Sequence, residues 1–331
     1  MRITKAITIL LLSLSTSNGQ ELTVLAEKNV AVAMRDGTIL RADVYKPDKN
    51  GLYPVLVHRT PYGKSAPYVM LAINQFVKAG YIVVSQDVRG RYASAGVWES
   101  YWRFETHDAH DGFDTVVWAS KLNQSNGKVG TFGGSYDAFL QWRLAPLRPA
   151  PLLAMSAYSI PARMIDLRGA GTIRPGRRLK WFITEMSPEM RRRSGRPGIT
   201  DKQEMNRRWE EGESEKWLNF LPWLELPREV FEDETDAVHF WLRNPHEDPW
   251  KLHEDVKDIL VPNLNSVGWF DHCNGDLLLD RTMRANAATD AARRGSHTII
   301  GPWSHFGLGI NWGKVQFGRD ATIDTVGSQI K

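Results

Sequence analysis

Apolar and polar positions follow a strand-like and then a helix-like period along most of the chain. Residues 22–45 alternate with period two around the turn sequence RDGT, which predicts a β-hairpin. Helical spacing marks residues 69–80 and 108–122. Short apolar runs suited to buried strands stand around these helices: YPVLVHRT, YIVVSQDV, KVGTFG and LLAMSAY. Such alternation predicts an α/β fold with a mostly parallel sheet and helices on both faces.

The pattern changes between residues 160 and 250. Short, charged, Trp-rich segments of helical character are separated there by Pro and Gly, and no apolar strand is apparent. Strand-like runs resume with ILVPNLNSVGWFD and SHTIIGPWSH. We therefore predict an α/β domain formed by residues 20–159 and 251–331, interrupted by a helical cap insertion over residues 160–250.

The first nineteen residues have the layout of a secretory signal peptide. A short basic region ends at Lys5, an apolar run extends from Ala6 to Leu14, and small residues follow at Ser17 and Gly19. The run is too short to span a bilayer, so no stable membrane span is predicted. We expect a signal peptide over residues 1–19, a mature chain that begins near Gln20, and a secreted or periplasmic protein.

Charge and cysteine content narrow the possible partners. The net charge is only +4, acidic residues follow the basic run 191–196 closely, and no nucleic-acid-binding motif accompanies it. No nucleic-acid partner is therefore predicted. Cys273 is the only cysteine, which excludes both an intramolecular disulfide and a cysteine-based zinc site. Neither a cofactor nor a metal is predicted, and the oligomeric state is left open.

One serine stands at a turn suited to nucleophilic chemistry. In KVGTFGGSYDAFLQW a strand leads into Gly133 and Gly134, Ser135 follows, and a helix begins. A serine on such a tight strand-to-helix turn is exposed at the carboxyl edge of the sheet, where helix N–H groups can stabilise an oxyanion. The usual glycine two positions after the serine is replaced by Asp137. Taken alone, the turn is also compatible with a Gly-rich packing loop.

A histidine and a carboxylate are needed to activate a serine hydroxyl. Asp271 and His305 each follow a predicted strand, in the chain order Ser, Asp, His that is typical of this fold class. Three alternatives are weaker: Asp276, His272 and His297. His297 begins a strand and so lies at the wrong edge. His272 directly follows Asp271, and since adjacent side chains diverge it is expected to be a poor partner for that carboxylate.

Several motifs in order resemble the X-Pro dipeptidyl-peptidase/cocaine-esterase-like (CocE/NonD) hydrolases, a family of α/β-hydrolase fold that includes α-amino-acid ester hydrolases. The matching segments are MRDGTILRADVYKP, HRTPYGK, SQDVRGRYASAG, DGFDTVVWASKLNQSNGKVGTFGGSY, VGWFDHC and GPWSH, within residues 28–318. The resemblance implies a serine hydrolase that acts on small esters or on amide or peptide bonds.

Carried over position by position, the resemblance implies a catalytic triad of Ser135, Asp271 and His305. It also implies an oxyanion hole made of the Tyr62 hydroxyl and the backbone N–H of Tyr136. The family turn places its last small residue three positions after the serine, where this chain has an alanine. Asp137 is then interpreted as a first-turn acid that complements the helix dipole.

The sequence leaves several alternatives for the substrate and for the C-terminal part of the protein. Six tryptophans of the insertion are expected to form the cap and an acyl pocket: Trp181, Trp209, Trp217, Trp223, Trp241 and Trp250. A peptidase needs an acid to hold a substrate ammonium, for which the candidates are Glu232, Asp233, Glu234 and Asp236. The family's C-terminal jelly-roll sandwich is expected to be missing. An X-Pro dipeptidyl-peptidase or α-amino-acid ester hydrolase or acylase, and a non-catalytic remnant, remain alternatives to a general esterase.

Overall fold

The computed structural model of the protein describes residues 23–103, 105–160, 162, 175–244, 247–248, 250–273, 275–305, 311–322 and 327. The predicted signal peptide lies outside these residues. Within them, no helix combines the length and the apolar character that crossing a bilayer would require.

The main layer of the fold is a β-sheet that begins with the predicted hairpin. Its strands are β1 (Val24–Ala33), β2 (Ile39–Pro47), β3 (Tyr53–Thr60), β4 (Ile82–Asp87), β5 (Ser125–Gly134) and β6 (Leu152–Tyr158), in the order β1-β2-β4-β3-β5-β6. β2 is antiparallel to β1 and to β4, whereas β4, β3, β5 and β6 run parallel to one another. The predicted mostly parallel sheet is therefore confirmed.

Two further strands lie next to β6. β7 (Leu264–Gly268) pairs with β8 (His297–Gly301) in parallel. Asn263 makes a parallel bridge with Met155 of β6, and its side chain accepts a hydrogen bond from the Ala157 N–H (2.8 Å) and donates to the Ala157 carbonyl (3.1 Å). Because Asn263 is buried, its amide satisfies the backbone of β6 where water cannot, and it joins β7 and β8 to the sheet. A short ribbon, β9 (Asn311–Trp312) with β10 (Val315–Gln316), follows.

Helices cover both faces of the sheet. Val83 of β4 packs in one hydrophobic cluster with Phe76. Its neighbours along the strand, Ile82 and Val84, belong to a second cluster, which contains Val116 and Leu140. This alternation is the period-two signature of a strand that is buried on both faces. The helices of the α/β part are α1 (Pro67–Lys78), α2 (Asp108–Ala119) and α3 (Tyr136–Leu144) before the insertion and, after it, α11 (Asp276–Asn286) and α12 (Asp290–Gly295).

The described residues between 160 and 250 form helices, with no strand among them. These are α4 (Pro175–Trp181), α5 (Ser187–Ser194), α6 (Lys202–Arg208), α7 (Ser214–Leu218), α8 (Arg228–Phe231) and α9 (Thr235–Arg243), followed by α10 (Leu252–Asp255). π-helical turns at Phe182–Met186 and Trp209–Glu213 link α4 to α5 and α6 to α7. Indole N–H groups fasten this part to the loop before α2, since Trp241 donates to the Trp102 carbonyl (2.7 Å) and Trp250 to that of Tyr101 (2.6 Å).

The turn between β5 and α3 holds Ser135 in a strained backbone conformation. Ser135 has φ 60° and ψ −121°, which a non-glycine residue rarely adopts. The two preceding glycines are required for packing. A Cβ at Gly133 (φ +142°) would lie 2.6 Å from the Cβ of Asp137, and one at Gly134 would lie 2.4 Å from the ring of Tyr158. The small residues around the serine therefore have a steric cause.

Asp137 lies beneath this turn in a buried pair with His58. Its Oδ2 is 2.9 Å from His58 Nε2, and His58 Nδ1 is 3.1 Å from the Ser85 hydroxyl. That hydroxyl donates its only proton to the Lys64 carbonyl, so His58 Nδ1 must be the donor to it. Since a neutral imidazole then offers only an acceptor at Nε2, one proton must lie between Nε2 and the carboxyl group. Asp137 stands in the first turn of α3, as expected for an acid that complements the helix dipole. It is buried, however, and its main polar contact is the hydrogen bond to His58.

This pairing predicts a difference between two substitutions at position 137. Asp137→Ala leaves a buried imidazole nitrogen without a partner and should lower the free energy of unfolding by about 2–3 kcal/mol. Asp137→Asn keeps an N–H that can donate to Nε2 of the neutral imidazole, and should cost about 1 kcal/mol or less. Urea denaturation measures both values. Asp236→Ala, which breaks an exposed ion pair with Arg228, is the control and should change little. Equal losses for the alanine and asparagine variants at position 137 would contradict the pairing.

Candidate active site

The structure brings the three predicted triad residues into one hydrogen-bonded chain. Ser135 Oγ lies 3.0 Å from His305 Nε2, and His305 Nδ1 lies 3.0 and 3.2 Å from the two carboxylate oxygens of Asp271. Ser135 follows β5, Asp271 follows β7 and His305 follows β8, so all three leave the carboxyl ends of parallel strands at one edge. With the proton on Nδ1 donated to Asp271, Nε2 is free to accept from the serine hydroxyl.

Asp271 is a buried carboxylate surrounded by donors. The Cys273 backbone N–H donates to its Oδ1 at 2.8 Å, and His272 Nδ1 lies 3.1 Å from the same oxygen. Burial by itself would raise the pKa of the Asp271 carboxyl, but hydrogen bonds from His272 and His305 outweigh it and hold that pKa well below its usual range. Asp271 is therefore ionised at neutral pH and can hold one tautomer of His305.

His272 corrects the expectation that it would be a poor partner for Asp271. Adjacent side chains diverge along a strand, but these residues follow a turn in which the Asp271 N–H bonds back to the Gly268 carbonyl (3.1 Å). The two imidazoles on Asp271 also meet, with the ring centres of His272 and His305 4.4 Å apart. Burial, with the charges of His305 and Arg177, lowers the pKa of His272 to about 4 in spite of its bond to Asp271. His272 is thus neutral at pH 7.

The other two alternatives, Asp276 and His297, lie outside the hydrogen-bonded chain of Ser135, His305 and Asp271. Asp276 begins α11 with Oδ2 accepting from the Ile160 N–H at 3.0 Å, and burial raises the pKa of its carboxyl well above the usual range. His297 is an exposed residue at the start of β8, at the opposite end of that strand from His305. Their positions agree with the sequence-based preference for Asp271 and His305.

The predicted oxyanion donors stand beside the serine. The Tyr62 hydroxyl interacts with the Ser135 side chain and accepts a hydrogen bond from Trp181 Nε1 at 3.1 Å. Burial is the main cause that raises the pKa of Tyr62, so its hydroxyl keeps its proton. Tyr136 is the first residue of α3, and its backbone N–H therefore has no acceptor within the helix. The contact between Trp181 and Tyr62 joins residues 119 positions apart, and no local sequence pattern indicates it.

A cavity of about 880 Å³ opens over these groups. Ser135, Tyr62 and His305 line it from the sheet side, while Trp181 and Trp250 line it from the segment predicted as the cap. The remaining tryptophans of that segment have other environments: Trp209 and Trp241 are buried in the core, and Trp217 and Trp223 are partly buried against it. The predicted aromatic pocket thus contains two of the six tryptophans.

The four acids suggested for binding a substrate ammonium do not lie in this cavity. Glu232 is buried against Arg191 (2.8 Å), and Glu234 is buried against Arg103 (3.1 Å). Asp233 pairs with Arg196, and Asp236 is bound to an exposed arginine. None of the four is among the described residues that line the cavity. This interpretation was wrong because the acids pair with arginines instead: Arg191, Arg196 and Arg228 of the helical segment, and Arg103 of the loop before α2.

One group of side chains at the site has the donor types of a metal centre. Asp271, His272, Cys273 and His305 each present one potential ligand atom, and these four atoms lie within 4.8 Å of one another. A single cysteine does exclude a site of several thiolates. The fold nevertheless places Cys273 beside a carboxylate and two imidazoles, a mixed set of donors that needs only one cysteine.

Known proteins resemble this chain over most of its length. The family model for X-Pro dipeptidyl-peptidase (S15 family) matches residues 36–307. The cocaine esterase of Rhodococcus sp. (strain MB1 Bresler) is 30% identical over 327 residues, which cover 89% of this chain and 51% of the esterase. The chain thus spans about half the length of the curated relatives it matches.

Solved structures with the same fold include longer hydrolases. An aminopeptidase from a marine sediment archaeon, Thaumarchaeota archaeon, superposes with a TM-score of 0.64 at 21% identity, over 93% of this chain and 52% of the other. An α-amino acid ester hydrolase gives a TM-score of 0.59 at 21% identity, over 87% and 49%. These likenesses confirm the α/β-hydrolase fold. The family model, which matches most of the chain, and the 30% identical cocaine esterase identify the chain as a member of the X-Pro dipeptidyl-peptidase (S15) family, to which the CocE/NonD motifs pointed.

Proposed function

We propose that the protein is a serine hydrolase that cleaves carboxylic ester or amide bonds through an acyl-enzyme on Ser135. The observation that carries this proposal is the continuous chain from Ser135 Oγ to His305 to the buried Asp271, with each step at 3.0 Å. Such a chain beside a strained strand-to-helix turn has one well-understood chemical use, the activation of a hydroxyl for attack on a carbonyl.

In the first half of the reaction Ser135 Oγ attacks the carbonyl carbon while its proton passes to His305 Nε2. Asp271 stabilises the imidazolium that forms. The carbonyl oxygen becomes an oxyanion, to which the Tyr62 hydroxyl and the Tyr136 N–H donate. His305 then gives its proton to the leaving oxygen or nitrogen, the bond to the leaving group breaks, and the acyl group remains on Ser135.

In the second half water replaces the leaving group. His305 Nε2 takes a proton from water as the water oxygen attacks the acyl carbon, and the same two donors stabilise the second oxyanion. Collapse of this intermediate releases the carboxylic acid and returns the proton from His305 to Ser135 Oγ.

Within this reaction class we favour small esters with an aromatic or apolar acyl group. Trp181 and Trp250 offer flat apolar surface in the cavity, and aromatic side chains of this kind bind apolar groups without ordering many rotamers. The 30% identity to a cocaine esterase points the same way. The second candidate function is a peptidase specific for free N-termini. The acids at 232–236 suggested for binding the substrate ammonium do not support it, because they bind arginines instead.

The triad proposal predicts covalent labelling by a fluorophosphonate probe. Wild-type protein should be labelled at Ser135, and hydrolysis of p-nitrophenyl butyrate should fall by several orders of magnitude in Ser135→Ala and in His305→Ala. Gel fluorescence and mass spectrometry of the labelled peptide measure the first effect. The control Ser120→Ala, at the end of α2, should be labelled like the wild type. Folded wild-type protein that is neither labelled nor active would support a non-catalytic remnant.

The oxyanion proposal predicts a defect in rate for Tyr62→Phe. Removing one preorganised donor should lower kcat about a hundredfold and leave KM nearly unchanged, because the hydrogen bond strengthens only as charge develops on the oxygen. Steady-state kinetics with the same ester measure both constants. Tyr53→Phe, which removes a hydroxyl bound to the Lys49 carbonyl outside the cavity, is the matched control. A rise in KM at constant kcat would assign Tyr62 to ground-state binding instead.

We also propose that the protein is exported, on the basis of the basic start and apolar run in residues 1–19. Expression of the full chain with a C-terminal tag in a bacterium should give a periplasmic or secreted product that begins near Gln20, as read by intact-mass spectrometry. Leu11→Arg places a charge in the apolar run and should block processing. A cytoplasmic product that retains residues 1–19 would refute export.

A further inference from the structure

The four side chains grouped at the Asp271 turn have a use beyond the triad. We propose that Asp271, His272, Cys273 and His305 form a binding site for a zinc-like divalent transition-metal ion, and that the bound ion switches the catalytic site off. The four potential ligand atoms lie within 4.8 Å of one another. Only the inhibition rests on the proposed function, whereas metal binding does not.

The donor set selects the class of ion. One thiolate, two imidazoles and one carboxylate are a combination typical of four-coordinate zinc, with bonds of about 2.0–2.3 Å. Calcium and magnesium take oxygen ligands almost entirely, and this site offers a single carboxylate. The preference should therefore be for Zn²⁺, or for Co²⁺ as its spectroscopic substitute, over the hard cations.

The site needs only a small contraction to close around an ion. In a tetrahedral centre with such bonds, neighbouring ligand atoms are roughly 3.3–3.8 Å apart. Two of the contacts here are already shorter, at 3.0 Å between His305 Nδ1 and Asp271 Oδ1 and 3.1 Å between His272 Nδ1 and the same oxygen. Three of the residues are consecutive, so one turn delivers them together. The ion replaces hydrogen bonds to Asp271 with metal bonds, and the thiol proton of Cys273 leaves to solvent.

An ion can reach these groups from the substrate side. His272, Cys273 and His305 all line the catalytic cavity, and the other described lining groups include Ser135. Asp271 is buried immediately behind them, within 3.0 Å of His305 Nδ1 and 3.1 Å of His272 Nδ1. The route by which an ester enters is thus also a route for a hydrated cation.

Coordination removes the general base whichever ring nitrogen binds. If His305 Nε2 coordinates the ion, no acceptor remains for the Ser135 proton. If Nδ1 coordinates it, the neutral ring carries its proton on Nε2, which then cannot accept from the serine. Either arrangement stops attack by Ser135 Oγ without blocking the whole cavity.

The test is a titration of EDTA-treated, full-length protein with ZnCl₂. Calorimetry should show one ion bound per chain with release of one proton, and p-nitrophenyl butyrate hydrolysis should fall in parallel and recover on addition of EDTA. Co²⁺ should give a thiolate-to-metal charge-transfer band. Cys273→Ala keeps the backbone N–H to Asp271, and should bind Zn²⁺ at least about 100-fold more weakly and lose the cobalt band.

Two controls decide among the outcomes. His253→Ala removes another histidine with carboxylates nearby, Asp248 at 3.7 Å and Glu254 at 3.9 Å, and should bind Zn²⁺ like the wild type. Ca²⁺ and Mg²⁺ should neither bind nor inhibit at concentrations at which Zn²⁺ saturates the site. Zinc affinity unchanged in Cys273→Ala, or lost in His253→Ala, would overturn the site. Zinc binding that needs Cys273 in a protein without hydrolase activity would uphold the site and refute the proposed function alone.

Discussion

The join between β6 and β7 is the constraint on which the site depends. Ser135 belongs to the part of the sheet before the helical segment, whereas Asp271 and His305 follow strands after it, and a 3.0 Å hydrogen bond must connect residues 170 positions apart. Asn263 makes that connection possible by using its amide as a substitute for strand backbone against Ala157. The Met155 N–H adds a bond to the Pro262 carbonyl at 2.9 Å. A shift of one residue in this pairing would move both triad partners by about 3.3 Å, more than a hydrogen bond tolerates.

A second set of buried polar groups holds the serine itself. The strained turn at Ser135 is stable only if several contacts around it hold its backbone in this conformation. The Gln141 amide donates to the carbonyls of Gly133 (3.1 Å) and Ser156 (3.3 Å), which connects the turn to both β5 and β6. The pair of His58 and Asp137 fills the space directly below. These groups are costly to bury unpaired, so each is also a means of fixing one geometry of the turn.

Local pattern predicts the elements of this fold better than it predicts their contacts. LLAMSAY coincides with β6, and helix positions were recovered to within a few residues, because burial on both faces leaves a readable apolar run. Asp271 and His305 could be named because parallel strands end at one edge and the chain order is restricted. The contacts of His272, Trp181 and Glu232 could not be predicted from local sequence. They depend on the path of a turn or on partners far along the chain. The grouping of Cys273 with a carboxylate and two imidazoles depends on the path of the same turn, so a cysteine count could not indicate it.

Asp271 belongs both to the hydrogen-bonded chain and to the group of potential metal ligands. A carboxylate that orients a histidine must be ionised and held by several donors, which here are two imidazoles and a backbone N–H. Those requirements are close to those for a metal ligand, for which negative charge, neighbouring imidazoles and a fixed orientation are also needed. Here the turn adds a second imidazole and a thiol, so the arrangement that would orient His305 as a base also places four potential metal ligands together. Under the two proposals, the roles of base and metal ligand exclude each other at the one imidazole of His305, and the Asp271 turn, rather than the rest of the cavity, would determine the balance between them.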